Sequence, residues 1–230
     1  MIVAVPRRSD GGHRDHVWSW IENRWRREHP GWNVVEGVHE KHEGPFNRST
    51  AINRAAAGEW DVMVIADADS FVSAEQATAA AGLAHRTGQV TFAYDRFAYL
   101  NKRMSDMVLD GYTGDWWPGV EWTMTGTCSS MVAVPRGPWD ECGGADEGFD
   151  SGWGGEDIAI SHMLQTFGGG MHRIHGDVWH LHHPVAPRTH EGWPDRIERY
   201  GKASYDKPAM VALINELRVE QGLELLPTIK

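Results

Sequence analysis

The chain has 230 residues, 41% hydrophobic and 23% charged, with a net charge of −10. That length supports a substantial core. The acidic balance argues against a general nucleic-acid binder, which needs a basic field to offset phosphate repulsion. No apolar run approaches the roughly 18 residues of a membrane span, and the apolar stretch from Ile2 to Val5 is too short for a signal peptide, so a cytoplasmic protein is expected. Cys128 and Cys142 are too few for a disulfide framework or a zinc knuckle and read as reduced. Twelve Trp and thirteen His are unusual; flat rings with a single N–H suit sugar faces as well as cores.

In chain order, Ile2 to Val5 reads as a strand, followed by a polar loop from Arg7 to Gly12. Val17, Trp18, Ile21 and Trp25 recur at helical spacing and predict a helix over 14–28, stopped by His29-Pro30-Gly31. A second strand over 32–38 completes a βαβ unit, which implies a parallel pair. A helix is expected over 46–57, ended by Gly58. Val62 to Ala66 is short, β-branched and apolar, the pattern of a buried central strand. An alanine-rich helix over 74–87 and a strand over 89–93 extend the order to β-α-β-α-β-α-β, a doubly wound nucleotide-binding half. Residues 94–122 are aromatic with little period; a short helix is expected at 102–109 and a mobile loop at 111–119, with Trp116 and Trp117 as candidate acceptor contacts. A strand over 125–135, a short helix over 136–142, a helix over 158–167, and strands at 171–174 and 177–181 follow. The tail is helical at 197–200 and 208–221, with Val211, Leu213, Ile214 and Leu217 forming a face expected to pack on the sheet.

Three stretches carry chemistry. Asp67 and Asp69 follow the central strand at once. Ligands of open α/β sheets bind outside the carboxyl ends of the strands, and two carboxylates there suit a hard cation bridging protein and a phosphorylated ligand; a turn or a cap for the next helix is the plainer reading. Gly154-Gly155 allows close backbone approach to a ligand, and Glu156 and Asp157 then open a helix, where capping alone explains the acids but not the preceding Trp153-Gly154-Gly155. His180, His182 and His183 read as metal ligands or as surface polarity. His180 and His182 point to opposite faces of a strand, so His180 and His183 can share an ion if the strand ends between them.

Together these residues resemble GT-A-fold glycosyltransferases, especially the β-1,4-galactosyltransferase type and the polypeptide N-acetylgalactosaminyltransferases. Val5-Pro6-Arg7-Arg8 and Phe46-Asn47-Arg48 are similar to the family's nucleotide-binding loops, Asp67-Ala68-Asp69 to its metal-binding DxD, and Gly152-Trp153-Gly154-Gly155-Glu156-Asp157 to its acceptor and catalytic segment. The resemblance implies a single α/β domain over 1–230 with a mostly parallel central sheet flanked by helices: a nucleotide-binding half (1–95), an acceptor and catalytic half (96–185) and a helical tail (186–230). It implies Asp69, His180 and His183 as ligands of manganese or another divalent metal, with His180 where the animal galactosyltransferases have Met. Pro6, Arg7, Arg8, Arg48, Asp67, Trp153 and Gly155 would contact a nucleotide-sugar donor, expected to be a UDP-sugar, with Asp157 as general base and Glu156 beside it. Asp at position 157 follows the inverting rather than the retaining pattern. The expected acceptor is a glycan, a protein or a small molecule, and the absence of a leading membrane anchor fits a bacterial or viral enzyme. The alternatives are a retaining transferase and a sugar-nucleotide or glycan binder without turnover.

Overall fold

The computed structural model describes residues 1–39, 44–150, 154–184 and 193–226. Its first βαβ unit is β1 (Ile2–Arg7), α1 (His13–Glu28) and β2 (Asn33–Val38), and β1 and β2 pair in parallel as the sequence implies. Val17, Trp18, Ile21 and Trp25 form the buried face of α1. The helix expected over 46–57 is shorter, α2 (Arg48–Ala55), because the Asn47 side chain caps it by accepting from the Thr50 N–H at 3.0 Å. α2 lies close over β2: a Cβ on Gly37 would sit 1.9 Å from the Ala51 carbonyl oxygen, so only glycine permits that packing.

β3 (Val62–Ile65) is fully buried. It leads through Asp67-Ala68-Asp69 to a two-residue strand, β4 (Ser70–Phe71), and then to α3 (Ala74–Thr87). Ser73 and Gln76 form a reciprocal capping box at the start of α3. The cap of that helix is therefore Ser73, which leaves Asp67 and Asp69 for other work. Next come β5 (Val90–Phe92), β6 (Arg96–Leu100), α4 (Lys102–Leu109), a 3₁₀ turn at Trp117–Gly119, β7 (Val120–Thr125), β8 (Val132–Pro135) and α5 (Arg136–Cys142). The last elements are α6 (Glu156–Gly168), β9 (Met171–Arg173), β10 (Asp177–His180), α7 (Trp193–Ala203) and α8 (Lys207–Glu220).

The strands form two sheets. A six-stranded sheet has the order β2-β1-β3-β8-β5-β9, and a four-stranded sheet the order β4-β10-β6-β7. In the larger one only β8 runs against its neighbours, so the architecture is α/β with a mostly parallel sheet. β8 separates β3 from β5, which a simple doubly wound order would have made adjacent. Of the strand expected over 125–135 only Val132–Pro135 is β8, while Thr125 ends β7 in the other sheet. Gly126 has φ +73, and Ser130 and Met131, both buried, have φ +55 and +46; such left-handed residues interrupt the extended chain. β6 and β7 were hidden in the aromatic stretch, partly because every residue of β7 after Val120 is exposed and leaves no alternation to read. Both cysteines are free, Cys142 buried and Cys128 half-buried. Among the described residues no helix is long and apolar enough to cross a membrane.

The tail differs from expectation: α8 packs chiefly on α7 and α6 instead of on the sheet, burying Met210, Leu213, Ile214 and Leu217. Asp146 is the reason. Its carboxylate accepts from Arg196 Nε at 2.6 Å and Nη2 at 2.7 Å, from the Tyr200 hydroxyl at 2.8 Å and from Gln221 Nε2 at 3.0 Å. The adjacent Glu147 accepts from Thr50 Oγ1 at 2.7 Å and Asn53 Nδ2 at 2.8 Å. One two-residue segment thus ties α2 to the C-terminal helices. Burial opposes ionisation of Asp146, but Arg196 holds its carboxyl below the usual carboxylate range. Its contribution to stability is therefore present above the unfolded carboxylate pKa and is lost as pH falls through the lowered folded value. Asp146→Ala, which leaves Arg196 unpaired, should destabilise the protein by about 3–5 kcal/mol in urea titrations at neutral pH, and by progressively less as the pH is lowered.

Candidate active site and metal centre

The site forms where the chain passes from one sheet to the other. Ser70 of β4 pairs with His180 of β10 in antiparallel register, and the Leu181 N–H donates to the Asp69 carbonyl at 2.8 Å. These backbone bonds set Asp69 beside the end of β10. Because the strand stops at His180, His183 is released from strand alternation and turns to the same side. Asp69 Oδ1 lies 3.6 Å from His180 Nε2, and Asp69 Oδ2 lies 3.0 Å from His183 Nε2. The donor atoms of the three residues all fall within 4.8 Å of one another.

One carboxylate and two imidazoles, converging in a half-buried position, fit a divalent first-row metal. Burial opposes ionisation of Asp69, yet His180 and His183 beside it hold its carboxyl well below the usual range. Burial pushes the His180 pKa down, toward the neutral form that ligates metals. At His183 burial acts the same way, but the hydrogen bond and charge of Asp69 outweigh it and raise the pKa.

A second cluster adjoins the first. Arg48, at the start of α2, donates to Asp67 Oδ1 from Nη2 at 2.7 Å and from Nε at 3.2 Å, and its Nη1 lies 3.8 Å from Glu156 Oε1. Glu156 and Asp157 are the first residues of α6, and the Ile158 N–H donates to Asp157 Oδ1 at 2.9 Å. Burial raises the pKa of both acids, and Arg48 offsets this only in part. Gly155 turns the chain into α6 with φ +94; a Cβ there would meet Ile197 Cδ1 at 2.8 Å and Trp193 Cε3 at 3.0 Å. Strain accompanies the cluster. Ser130, one of the two left-handed residues before β8, receives the Asp67 N–H on its Oγ at 3.2 Å. Trp153 and Gly152 lie outside the described residues.

The first-loop residues are placed differently. Pro6 is buried in β1 opposite Gly37 of β2. Arg7 forms ion pairs with Asp15 and with Glu36, the latter at 2.6 Å, which commits it to the α1–β2 side of the loop. Arg8 Nη1 donates to the Gly44 carbonyl at 2.9 Å.

Sequence reasoning missed two contributors. Arg14, in the first turn of α1, places Nη2 at 2.9 Å from His183 Nδ1 and 3.3 Å from the Pro184 carbonyl oxygen. A cation in the first turn of a helix runs against the macrodipole, which was the available signal that something else holds it. The other is Trp122. Cross-strand register puts His180, Tyr99 and Trp122 in one row. Tyr99 lies 4.7 Å from the His180 ring and stacks on Trp122 at 3.6 Å and 10°. Trp122 keeps 45% of its surface exposed. Trp116 and Trp117 instead pack edge-on against Trp179, whose side chain leaves the opposite face of β10 from His180.

No protein-family model matches the sequence, and no curated protein does. Solved structures with a similar arrangement include glucosyl-3-phosphoglycerate synthase from Mycobacterium tuberculosis in complex with Mn2+, UDP-glucose and phosphoglyceric acid, at 15% identity and a TM-score of 0.45, over 97% of this chain and 80% of that one. They also include GalNAc-T7 with UDP, GalNAc and Mn2+, at 15% identity and a TM-score of 0.49, over 97% of this chain and 45% of that one.

The half-buried Arg48 cation is the electrostatic keystone of the acidic cluster. Arg48→Met should destabilise the protein by about 3 kcal/mol in urea denaturation, because Asp67 and Glu156 lose their counter-charge. Adding Asp67→Asn to that variant should restore part of the loss, since one uncompensated charge is then gone.

Proposed function

We propose that the chain is a metal-dependent glycosyltransferase that moves a sugar from a nucleotide diphosphate sugar, with UDP the expected carrier, to an acceptor hydroxyl with inversion. The observation that carries this reading is the meeting, at one sheet edge, of an Asp-His-His donor set and an arginine-bridged acidic cluster. The motif resemblance to GT-A glycosyltransferases supports it independently of the geometry.

On this reading Asp69, His180 and His183 hold Mn2+ or another divalent metal, which when bound stabilises charge on the departing diphosphate. Asp67, pinned by Arg48, bonds the ribose or sugar of the donor. The segment Pro6-Arg7-Arg8 lies at the carboxyl end of β1, between β2 and β3 in the sheet, where open α/β sheets bind their ligands, and is assigned to the nucleotide. Asp157 accepts the proton of the acceptor hydroxyl; a carboxylate whose pKa burial has raised is a stronger base than an exposed one. Glu156 shares Arg48 with Asp67 and so couples the position of α6 to that of the donor. Gly155 and Trp153 are assigned, from the motif resemblance, to contact with the donor. The exposed Trp122 ring, in the same row as His180, offers a flat apolar surface to a sugar-bearing acceptor.

The test is UDP release across a panel of UDP-sugars with Mn2+ present. Wild type should turn over, and Asp157→Asn should lower kcat by about 10²–10⁴-fold while leaving UDP affinity unchanged. Asp69→Ala and His183→Ala should abolish the Mn2+-dependence of UDP binding in calorimetry. As Asp157 must be ionised to act, kcat should fall on the acid side at a pH above the ordinary carboxylate range. Product of retained anomeric configuration in NMR would remove the base role from Asp157. Donor binding without turnover by the wild type would make the protein a sugar-nucleotide binder.

A further inference from the structure

Arg173 is the last residue of β9 and lies in register with Phe92 of β5. β9 and β5 are parallel, and both run with β3 because β8 opposes β3 and β5 alike. Arg173 therefore stands at the same carboxyl edge of the sheet as the Asp67–Asp69 turn, where ligands of such sheets bind. Across the sheet it is well separated from that turn. β9 is the outer strand on its side, three places from β3, which is about 14 Å at the usual strand spacing.

The Arg173 guanidinium is half-buried and lightly held. Nη2 donates to the Thr127 carbonyl at 2.6 Å, and the group lies 4.2 Å from the Phe92 ring centroid and 5.9 Å from that of Tyr94. Among the described residues Arg173 forms no ion pair, and its Nη1 is buried with no hydrogen-bond partner. A buried donor without an acceptor costs stability, most of all on a charged group, and folded proteins keep few of them. The charge bears on Tyr94 and Cys128, but neither neutralises it: burial raises both pKa values, so both side chains are protonated at neutral pH.

The segment that Arg173 holds reaches the acidic cluster. Thr127 precedes Cys128, whose side chain lines one cleft together with Arg48, Phe92, Ser130, Asp157 and Ser161. Of the charges that act on the Cys128 thiol, Asp157 raises its pKa and Arg173 lowers it, so both reach the same side chain. Two residues further on, the Ser130 Oγ accepts the Asp67 N–H at 3.2 Å. Residues 127–130 thus connect Arg173 to both Asp67 and Asp157.

We propose that Arg173 binds an anionic group, a carboxylate or a phosphate, on the acceptor. This rests on the transferase reading and deepens it by naming the acceptor class: a hydroxyl compound that carries a negative charge. A planar guanidinium fork matches two oxygens of either group, and such a ligand supplies the acceptor that Nη1 lacks. Position assigns the charge to the acceptor and not to the donor diphosphate. Asp69, His180 and His183 lie at the junction with the four-stranded sheet, whereas Arg173 is on the far strand of the six-stranded one, on the Cys128 side of Asp157.

The experiment is calorimetric titration of wild type, Arg173→Gln and Arg173→Lys, each at saturating Mn2+ and UDP, with glucose, glucuronate and glucose 6-phosphate. The three sugars share a ring and differ in charge. Wild type should bind at least one charged sugar about 10-fold or more tightly than glucose, and the tighter of the two tells carboxylate from phosphate. Arg173→Gln should weaken that sugar by about 10–100-fold, the loss expected for a charge-assisted hydrogen bond, with glucose and UDP affinities unchanged. Arg173→Lys, which keeps the charge without the fork, should fall between. If neither charged sugar binds more tightly than glucose, the proposal is wrong. It is equally wrong if Arg173→Gln weakens all three sugars alike or lowers UDP affinity, since Arg173 then only braces residues 127–130. Wild-type protein without Mn2+-dependent UDP binding would overturn the transferase reading itself, and the UDP titration that precedes the sugars separates that result from the others.

Discussion

The structure of the site depends on one half-buried guanidinium. Arg48 stands at the start of α2 and touches the end of the β3 turn through Asp67 and the start of α6 through Glu156. Desolvation works against its charge, but Asp67, Glu156 and Asp157 together outweigh that and hold it protonated. The converse matters more. Without a cation at that point, the acids at the α6 N-terminus would face Asp67 across a desolvated space, and the helix dipole alone is worth about 1 kcal/mol per charge. Arg48 therefore fixes how closely α6 can approach the sheet edge, and so where Asp157 sits relative to Asp69. The position of α2 is fixed in turn by Glu147, which binds Thr50 and Asn53, while Asp146 holds α7 and residue 221. Electrostatics at the site and anchoring of the tail share two adjacent acids.

Backbone register does for the metal cluster what Arg48 does for the acidic one. Asp69 and His183 are 114 positions apart in sequence, yet the Ser70–His180 pair and the Leu181-to-Asp69 hydrogen bond leave little freedom in how they meet. A slip of one residue would send His180 to the Trp179 face, among Trp116 and Trp117. The tight packing of those aromatics is therefore part of how the site is specified: Trp179 is held on its own face, and His180 is consequently held on the other. Tyr99 completes the arrangement by flanking His180 from β6.

The legible parts of this fold were those with a strong local signal. The α1 stripe, the all-buried β3 and the helix opened by Glu156 each declare themselves within a dozen residues. The pairing of His180 with His183 was also readable, because strand alternation excludes His182 from sharing an ion with His180, and the family resemblance added Asp69 to them. What escaped were features that only long-range pairing creates. β6 pairs with β10, 81 residues away at Arg96 and Asp177, and β7 carries no buried face to betray it. The break before β8 is made by Ser130 and Met131, neither of which is a residue that normally signals left-handed backbone. The position of Arg7 at the end of β1 was legible, but its ion pairs were not: Asp15 in the following helix and Glu36 in β2 take up its charge.

The net charge of −10 and the anionic donor proposed above look incompatible until the charge is resolved in space. What an incoming phosphate meets is the local field, and over the Debye length of about 8 Å at physiological ionic strength a handful of side chains decides it. At the Asp67–Asp69 turn the acids are already matched: Asp67 by Arg48, Asp69 by two imidazoles, Asp15 and Glu36 by Arg7. A divalent ion added there would leave that corner positive within a protein whose net charge is negative. The global repulsion then becomes a filter. It disfavours long polyanions, whose remote phosphates would lie over acidic surface, and leaves accessible a short one whose whole charge fits inside the compensated corner.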